Sequence, residues 1–182
     1  PHGQIYAFPF IPPTIDKELE AALEHQTATD TCLYCDILAE EKEEQKRIIA
    51  ESAEFIAFVP FFARYPFEVH IYAQRHITNL AELSYAEQES LAQMLKEVIV
   101  RYDDLFGFSL PYMMVIHQAP PKGDYPHYHF HIEFYPLNRS AEKLKYLAGV
   151  ESGAGTFITD MSPEEQAEKI RGDFDDKHAS GV

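Results

Sequence analysis

The sequence is poor in cysteine and tryptophan, and it lacks long apolar runs. Its 182 residues include no tryptophan and only two cysteines. Two cysteines are too few for a disulfide framework. No stretch is long and apolar enough for a transmembrane helix, and no basic segment followed by an apolar run resembles a secretory signal. We therefore expect a cytoplasmic protein with one ordinary domain and a core of useful size.

Positive charge is also scarce. Thirty acidic residues face fifteen basic ones, which gives a formal net charge of −15. This charge repels phosphate backbones and anionic lipids, so it argues against nucleic acid and membranes as partners. A small phosphorylated substrate remains compatible, because a local group of histidines and backbone amides can outweigh a distant net charge.

The pattern along the chain predicts an α+β fold, an antiparallel sheet with helices packed on it. Strands are predicted in "KRIIAESAEFIAFVPF" (two strands), "PFEVHIYAQ", "PYMMVIHQ" and "PHYHFHIEF". Helices are predicted from Asp16 through "KELEAALEHQ", from a Ser84–Glu87 capping box to a stop at Gly107, in "RSAEKLKYLAG", and from Ser162 to Arg171. The two cysteines and the segment "VESGAGT" are predicted to lie in loops.

The strand "PHYHFHIEF" places His127, His129, His131 and Glu133 at every second position. Side chains alternate between the faces of a strand, so these four would share one face. One such histidine is readily explained by a solvated or hydrogen-bonded strand face. Three imidazoles in a row compete for protonation, and binding a metal or a phosphate would resolve that competition.

The cysteines are spaced Cys32-Leu-Tyr-Cys35. This spacing is typical of half a zinc site or of a redox pair. Zinc needs four ligands in a tetrahedron, and the sequence offers His76 after one strand and His127 at the start of another. We predict a zinc site formed by Cys32, Cys35, His76 and His127.

The first residues, "PHGQIYA", hold a histidine between proline and glycine. The glycine allows a phosphate to approach the main chain, and Gln4 can donate a hydrogen bond to it. His2 is therefore a candidate nucleophile, although the motif is weak alone and the group that would anchor the second ring nitrogen is not evident from the sequence.

The segment "PHGQIYAFPFIPP" resembles the active-site motif His-Pro-His-Gly-Gln of the galactose-1-phosphate uridylyltransferase family, which belongs to the histidine-triad superfamily. The resemblance continues through "FFARYPFEVHIYAQRHITNL", "RYDDLFGFSLPYMMVIHQAP", "HIEFYPLNRSAEKLKYLAGVE" and the final "SGV". It implies transfer of UMP between UDP-glucose and galactose 1-phosphate, with His2 as the covalent nucleophile and Gln4 as a hydrogen-bond donor to the transferring phosphate.

The family carries two histidine-triad modules in one polypeptide, and this chain resembles the second. We expect residues 1–27 to be the tail of the first module with the active-site motif and a connecting helix, and residues 28–182 to be the second module. The chain starts at the proline of the motif, so we expect a C-terminal portion that folds but is nearly inactive by itself.

The resemblance implies two candidate metal sites that share no residue, so they are either alternatives or both filled, and the cysteine site is favoured for zinc because its ligands are softer. The zinc pattern of the superfamily maps to the same four residues predicted above. A second site for a divalent metal, iron or zinc, maps to Glu18, His117, His131 and Glu133, with glutamate at a position where the family has histidine. His129 occupies the position of the nucleophile in simpler superfamily members and would be a relic here.

In the family, a segment of one protomer reaches across a homodimer to hold the hexose. The segment "KYLAGVE" of this chain resembles that family segment and retains two of its residues as Lys145 and Glu151. At Tyr146, Ala148 and Val150 this chain differs from the family. Two other functions stay open on the sequence. One is a nucleotide hydrolase or binding module that works through His127, His129 and His131; the other is a metal-stabilised dimerisation half without chemistry of its own.

Overall fold

A computed structural model describes residues 4–136 and 148–178, and within them the predicted α+β fold is confirmed. The sheet has five strands in the order β1-β2-β3-β5-β4, and every neighbouring pair is antiparallel. The strands are β1 Ile48–Glu51, β2 Phe55–Phe58, β3 Val69–Ala73, β4 Met113–His117 and β5 His131–Tyr135.

Helices cover both faces of this sheet. They are α1 Pro13–Thr29, α2 Leu33–Glu44, α3 Tyr85–Phe106, α4 Gly149–Ala154 and α5 Pro163–His178, with a short 3-10 turn at Leu80–Glu82. Throughout the described ranges, no helix combines the length and the apolar character that crossing a bilayer requires.

The first face of the sheet packs against α3 and α5 and is apolar. Ile132 and Phe134 of β5 are fully buried there, in a cluster that includes Val98 and Tyr102 of α3 and Ile170 of α5. The predicted capping box starts α3, since the Ser84 side chain accepts from the Glu87 N–H and the Glu87 carboxylate accepts from the Ser84 N–H. Gly107, with φ 72°, ends the helix in the left-handed region.

The second face packs against α1 and α2 and mixes apolar with polar side chains. Leu19 and Ala22 of α1 and Leu38 of α2 are buried against Phe58 and Tyr72 of the sheet. His131 and Glu133 of β5 point to this face. Helix α1 spans residues 27 and 28 and supplies part of this core. The predicted boundary between the two modules, after residue 27, therefore stays a prediction.

Several element boundaries differ from the predicted ones. Helix α1 starts at Pro13, before Asp16, because proline at the first helical position costs no hydrogen bond and has a helical φ. Cys35 lies in the first turn of α2 and not in a loop. A short helix, α4, replaces the loop predicted in "VESGAGT", and α5 extends past Arg171. Most of the helix predicted in "RSAEKLKYLAG" lies outside the described residues.

The histidine strand is also shorter than predicted, because β5 begins only at His131. The backbone N–H of Tyr128 donates to the carbonyl of Tyr125, which forms a turn just before the strand. Tyr128 consequently packs on the α1/α2 face, and Phe130 packs on the opposite face. The alternation holds from His129 onward and fails at His127.

Candidate metal centres and active-site residues

Cys32, Cys35, His76 and His129 form a cluster in which one donor atom from each residue lies within 4.8 Å of the others. Cys35 Sγ lies 3.6 Å from His76 Nδ1 and 3.6 Å from His129 Nδ1, and Cys32 Sγ lies 3.9 Å from His129 Nδ1. In a tetrahedral zinc site with ordinary bond lengths, sulfur and nitrogen ligands are about 3.5 Å apart. The spacing of these donors therefore fits a zinc ion.

The two imidazoles of this cluster are oriented by backbone carbonyls. His76 Nε2 donates to the carbonyl of Pro126 at 2.9 Å, and His129 Nε2 donates to the carbonyl of Ala73 at 2.9 Å. A carbonyl only accepts, so the proton of each neutral ring is on Nε2 and the lone pair of Nδ1 faces the thiols. Histidines that bind metals are held in this way, with the second nitrogen anchored.

The two thiols lie at the start of α2, where Cys32 is the N-cap residue. The pKa of Cys32 is lowered to about 3, chiefly because the Cys35 thiol donates a hydrogen bond to its sulfur; burial opposes this shift and His129 adds to it. The same hydrogen bond raises the pKa of Cys35. One thiolate is thus favoured at neutral pH, and thiolate is the form that binds metal.

The predicted fourth ligand needs correction. The structure brings Cys32, Cys35 and His76 together as expected, but it places His129 beside the thiols in the position assigned to His127. His127 is buried, and its ring contacts Tyr125 with centroids 6.0 Å apart. The reason is the turn at Tyr125–Tyr128, which removes His127 from the alternating row.

A second cluster contains the other four predicted metal ligands, Glu18, His117, His131 and Glu133. Glu18 projects from α1, and the strand register places His117 of β4 opposite His131 of β5. His131 Nε2 lies 3.5 Å from Glu133 Oε1, and His117 Nε2 lies 3.8 Å from Glu133 Oε2. The donors are nitrogen and oxygen atoms, a set that suits iron, zinc or manganese.

Burial and charge set the protonation of this second cluster. Burial lowers the pKa of His131, which favours the neutral ring. For His117 burial also acts to lower the pKa, but the hydrogen bond and charge of Glu18 outweigh it, so the pKa is raised. Burial acts to raise the pKa of Glu133, whereas His131, His70 and His117 together lower it to about 2. Glu133 is therefore an ionised, buried carboxylate.

Further residues that were not predicted as site residues support Glu133, either directly or through His70. Arg64 Nη2 donates to Glu133 Oε2 at 3.2 Å, and His70 Nε2 lies 3.5 Å from Glu133 Oε1. Glu68 accepts from His70 Nε2 at 2.7 Å, with both side chains buried. Glu68 and His70 lie on the strand face opposite Val69 and Ile71, so the same alternation that revealed the histidine row could have identified them.

A cavity of about 490 Å³ lies between α1, α2 and the sheet. Its wall includes Glu18, His131 and Glu133 of the second cluster, with Tyr34 and Tyr72 beside them. Further lining residues are Lys17, Ala21, His25, Leu33, Asp36, Ile37, Glu40, Phe61 and Phe62. The second cluster is thus in contact with a space large enough for a small molecule.

The residues predicted to act on substrate are only partly described. His2 and Lys145 lie outside the described residues. Gln4 is exposed, and its side-chain oxygen accepts from the hydroxyl of Tyr6. The carboxylate of Glu151 accepts from the backbone N–H of Ala148 at 2.6 Å, a contact that caps α4. A substrate-binding role for these residues stays a prediction.

The hydrolase alternative conflicts with the position of His129. A nucleophilic imidazole must present a free nitrogen to its substrate. Nε2 of His129 donates to the carbonyl of Ala73, and Nδ1 faces the two thiols. Neither nitrogen of His129 faces the cavity that could hold a nucleotide, so the geometry disfavours a hydrolase of the simple histidine-triad type.

Residues 18–181 match the family model of the galactose-1-phosphate uridyl transferase C-terminal domain. The chain is 45% identical over 173 residues to the galactose-1-phosphate uridylyltransferase of Thermotoga maritima, which covers 94% of this chain and 54% of that protein. It spans about half the length of the curated relatives it matches.

Solved structures show the same fold. A uridylyltransferase structure superposes with a TM-score of 0.87 at 40% identity, covering 97% of this chain and 55% of that one. A zinc-bound histidine triad family protein from Mycobacterium smegmatis superposes with a TM-score of 0.55 at 15% identity, covering 82% of this chain and 97% of that one, which shows a likeness of fold alone. The chain therefore belongs to the galactose-1-phosphate uridyl transferase family and corresponds to its C-terminal domain.

Proposed function

We propose that the protein containing this chain is a UDP-glucose–hexose-1-phosphate uridylyltransferase that acts in galactose metabolism. The observation that carries the proposal is the match of residues 18–181 to the family's C-terminal domain, preceded by the "PHGQ" segment. Its substrates are UDP-glucose and galactose 1-phosphate, and the transferred group is UMP. The choice of hexose rests on the family and not on the described residues.

His2 would act as the nucleophile in a two-step reaction. A neutral ring nitrogen of His2 forms a bond to the α-phosphorus of UDP-glucose, while the bond from that phosphorus to the bridging oxygen breaks and glucose 1-phosphate leaves. A phosphate oxygen of galactose 1-phosphate then attacks the same phosphorus and releases His2. The covalent intermediate divides one displacement into two, and Gln4 would donate a hydrogen bond to the transferring phosphate.

Replacing His2 tests this assignment. His2→Asn keeps a similar size but removes the nucleophilic nitrogen, so transfer should fall by several orders of magnitude, about 10⁴-fold or more. Incubating the full protein with UDP-glucose labelled in the uridine should place an acid-labile UMP on His2. Label on His129, or release of UMP to water without a hexose 1-phosphate acceptor, would contradict the transferase assignment.

The substrate site would be completed by a second protomer. By the family resemblance, Lys145 and Glu151 hold the hexose of the partner's substrate in a homodimer. The bond between Glu151 and the Ala148 N–H is compatible with this role, since it orders the start of α4. Lys145→Ala should raise the KM for galactose 1-phosphate more than that for UDP-glucose, and chromatography at different concentrations tests the dimer.

We also propose structural zinc at Cys32, Cys35, His76 and His129. The support is the donor spacing, the two carbonyl-anchored imidazoles and the lowered pKa of Cys32. Bound zinc would join α2 to the loops before β5 and after β3, and it would hold the thiols as thiolates. Such a site persists in the reducing cytoplasm, which is the proposed location.

A second divalent cation, iron or zinc, would be held by the cluster of Glu18, His117, His131 and Glu133. The support is the chemistry of the donor set and the ionised, buried Glu133, whose charge a cation would balance. The two sites differ in softness, so we expect zinc at the thiols and a harder metal at the carboxylates. Elemental analysis of freshly purified protein tests both sites together.

A further inference from the structure

The spacing of the two cysteines is typical of a redox pair as well as of half a zinc site. Cys32 is the N-cap residue of α2 and Cys35 lies in the first turn of that helix. Residues three apart on a helix are neighbours on its surface, and the two sulfur atoms lie within 4.8 Å of each other. The sequence has only these two cysteines, so the disulfide that this chain can form within itself joins Cys32 to Cys35.

Cys35 also lines a small cavity, which gives it a path to solvent. The cavity has a volume of about 160 Å³, and its wall is formed by Cys35, Leu38, Ala39, Lys42 and Gln74. Ala39 and Lys42 are exposed, and both cysteines are half-buried. A water molecule takes about 30 Å³ in the liquid, so a molecule as small as hydrogen peroxide can enter this cavity and reach Cys35.

We propose that Cys32 and Cys35 are an oxidation site: a peroxide enters this cavity and reacts with Cys35, a disulfide to Cys32 follows, and zinc is released. The proposal rests on the structural zinc of the proposed function and adds a reaction at its thiols. Zinc is bound by thiolates, and a disulfide has none to offer. After oxidation the cluster would keep only the two imidazoles of His76 and His129.

The reaction balances with hydrogen peroxide as the oxidant. The thiolate sulfur of Cys35 forms a bond to one peroxide oxygen, the O–O bond breaks and hydroxide leaves, which gives a sulfenic acid. The thiolate of Cys32 then attacks the sulfur of Cys35, so that the S–S bond forms, the S–O bond breaks and a second hydroxide leaves. The two thiolates lose two electrons in total, and these electrons reduce one peroxide to two hydroxide ions.

Release of zinc would act on the packing beneath α2, because a core residue lies between the two cysteines. The ring of Tyr34 stacks on His131 with centroids 5.0 Å apart. It also meets Tyr72 and Tyr128 edge-on, with centroids 5.6 and 5.8 Å apart. Tyr34 forms part of the wall of the 490 Å³ cavity. Oxidation of the thiols would therefore loosen the end of α2 that borders this larger cavity.

The test uses the full protein with zinc bound and hydrogen peroxide as the probe, followed by alkylation of the remaining thiols. Trypsin releases residues 18–42 as one peptide that contains both cysteines. Oxidation should leave this peptide unalkylated and lighter by two hydrogen atoms, and a colorimetric chelator should detect one released zinc ion per disulfide. Dithiothreitol and zinc should reverse both changes.

Two outcomes with the unaltered protein would overturn the proposal. One is a peptide whose cysteines stay reduced, or carry only sulfinic or sulfonic acid, under peroxide. The other is a disulfide that forms while zinc stays bound. Neither measurement depends on a variant that folds.

A pair of variants tests the entry path and leaves the zinc ligands unaltered. Ala39→Leu partly fills the cavity beside Cys35, so it should slow disulfide formation about 5-fold or more, since oxidation of a thiol follows its exposure. Ala86→Leu makes the same change at an exposed position of α3 and is the matched control, which should react as fast as the unaltered protein. Equal rates in all three proteins would show that peroxide does not enter through this cavity, and the proposed route would be wrong.

The transferase reaction is measured separately, on reduced protein before peroxide is added. Absence of UMP on His2 together with normal disulfide formation would count against the proposed transfer alone. Normal labelling of His2 together with thiols that do not form the disulfide would count against the oxidation site alone. Reduced protein that contains no zinc at the thiols would refute both the structural zinc and its release.

Discussion

The two faces of the sheet differ in what their side chains do, although the same strand supplies both. In β5, Ile132 and Phe134 enter an apolar cluster beneath α3 and α5, whereas His131 and Glu133 enter a polar cluster beneath α1 and α2. The apolar face is stabilised chiefly by burial of apolar side chains. The polar face places imidazoles and carboxylates out of water, which is costly unless they are paired or bind a cation. Both faces contribute apolar core, but only the face beneath α1 and α2 also holds the groups that can carry chemistry.

Removing a thiol should have the largest effect on stability, because it acts through a metal that joins three segments. We expect Cys35→Ser to lower the free energy of unfolding by several kcal/mol, on the order of 5, in zinc-loaded protein. Chelation should destabilise the unaltered protein by a similar amount. After chelation, Cys35→Ser and the unaltered protein should therefore differ little in free energy of unfolding. Equal denaturation midpoints of the variant and the unaltered protein before chelation would argue against structural zinc.

Truncating the apolar face should cost slightly less and should not depend on metal. Phe134 is fully buried and its ring packs near Tyr102 and Tyr112. We expect Phe134→Ala to destabilise the protein by about 4 kcal/mol through lost burial and the cavity left behind. Urea unfolding with and without chelator measures the loss of unfolding free energy in this variant. A loss that disappears on chelation would mean that the two faces are not energetically separate.

Two neighbouring histidines test the corrected zinc ligand. His129→Asn should reduce zinc affinity at least about 100-fold, because it removes the donor nitrogen nearest both thiols. His127→Asn should leave zinc affinity nearly unchanged, since the His127 ring lies against Tyr125 and not against the thiols. Competition with a zinc chelator of known affinity measures both variants. A larger effect at His127 than at His129 would restore the assignment made from the sequence.

Much of the fold could be predicted from alternation and capping, which are local properties. The Ser84–Glu87 capping box and Gly107 defined α3 correctly, and the alternation in "HFHIEF" separated the two faces. The position of His127 was not predicted, because the alternation of the histidines was given more weight than Pro126, which favours a turn at Tyr125–Tyr128. This turn places the ring of His127 against Tyr125 and outside the thiol cluster, which changes the ligand set.

The second cluster shows a different limit. The family resemblance indicated that Glu18, His117, His131 and Glu133 could bind a metal, and the structure brings them together. The contributions of Arg64, Glu68 and His70 depend on the register between β3 and β5, in which His70 lies opposite Glu133. Alternation alone places Glu68 and His70 on the polar face, but register is a long-range property of a sheet, so the contact of His70 with Glu133 emerged only from the structure.

The smallest predicted effect concerns the cap of α3 on the apolar face, which should respond to pH but not to chelation. The pKa of Glu87 is lowered to about 2, first by the hydrogen bond from Arg75 and then by those from Ser84. A depressed carboxyl pKa contributes stability that is present above the unfolded value of about 4.3 and is lost as pH falls through the folded value. Arg75 is exposed, so the ion pair itself contributes little.

Glu87→Ala removes both the cap and the ion pair and should therefore destabilise the protein by about 1 kcal/mol at pH 7. Glu87→Gln is the matched control, because glutamine can still accept from the Ser84 N–H while losing the charge, and it should cost about half as much or less. Thermal unfolding from pH 7 downward should show the difference between the unaltered protein and Glu87→Gln shrinking between about pH 4 and 2. A difference that is constant across this range would show that the charge of Glu87 contributes nothing, whereas one that changes on chelation would couple the α3 face to the metal face.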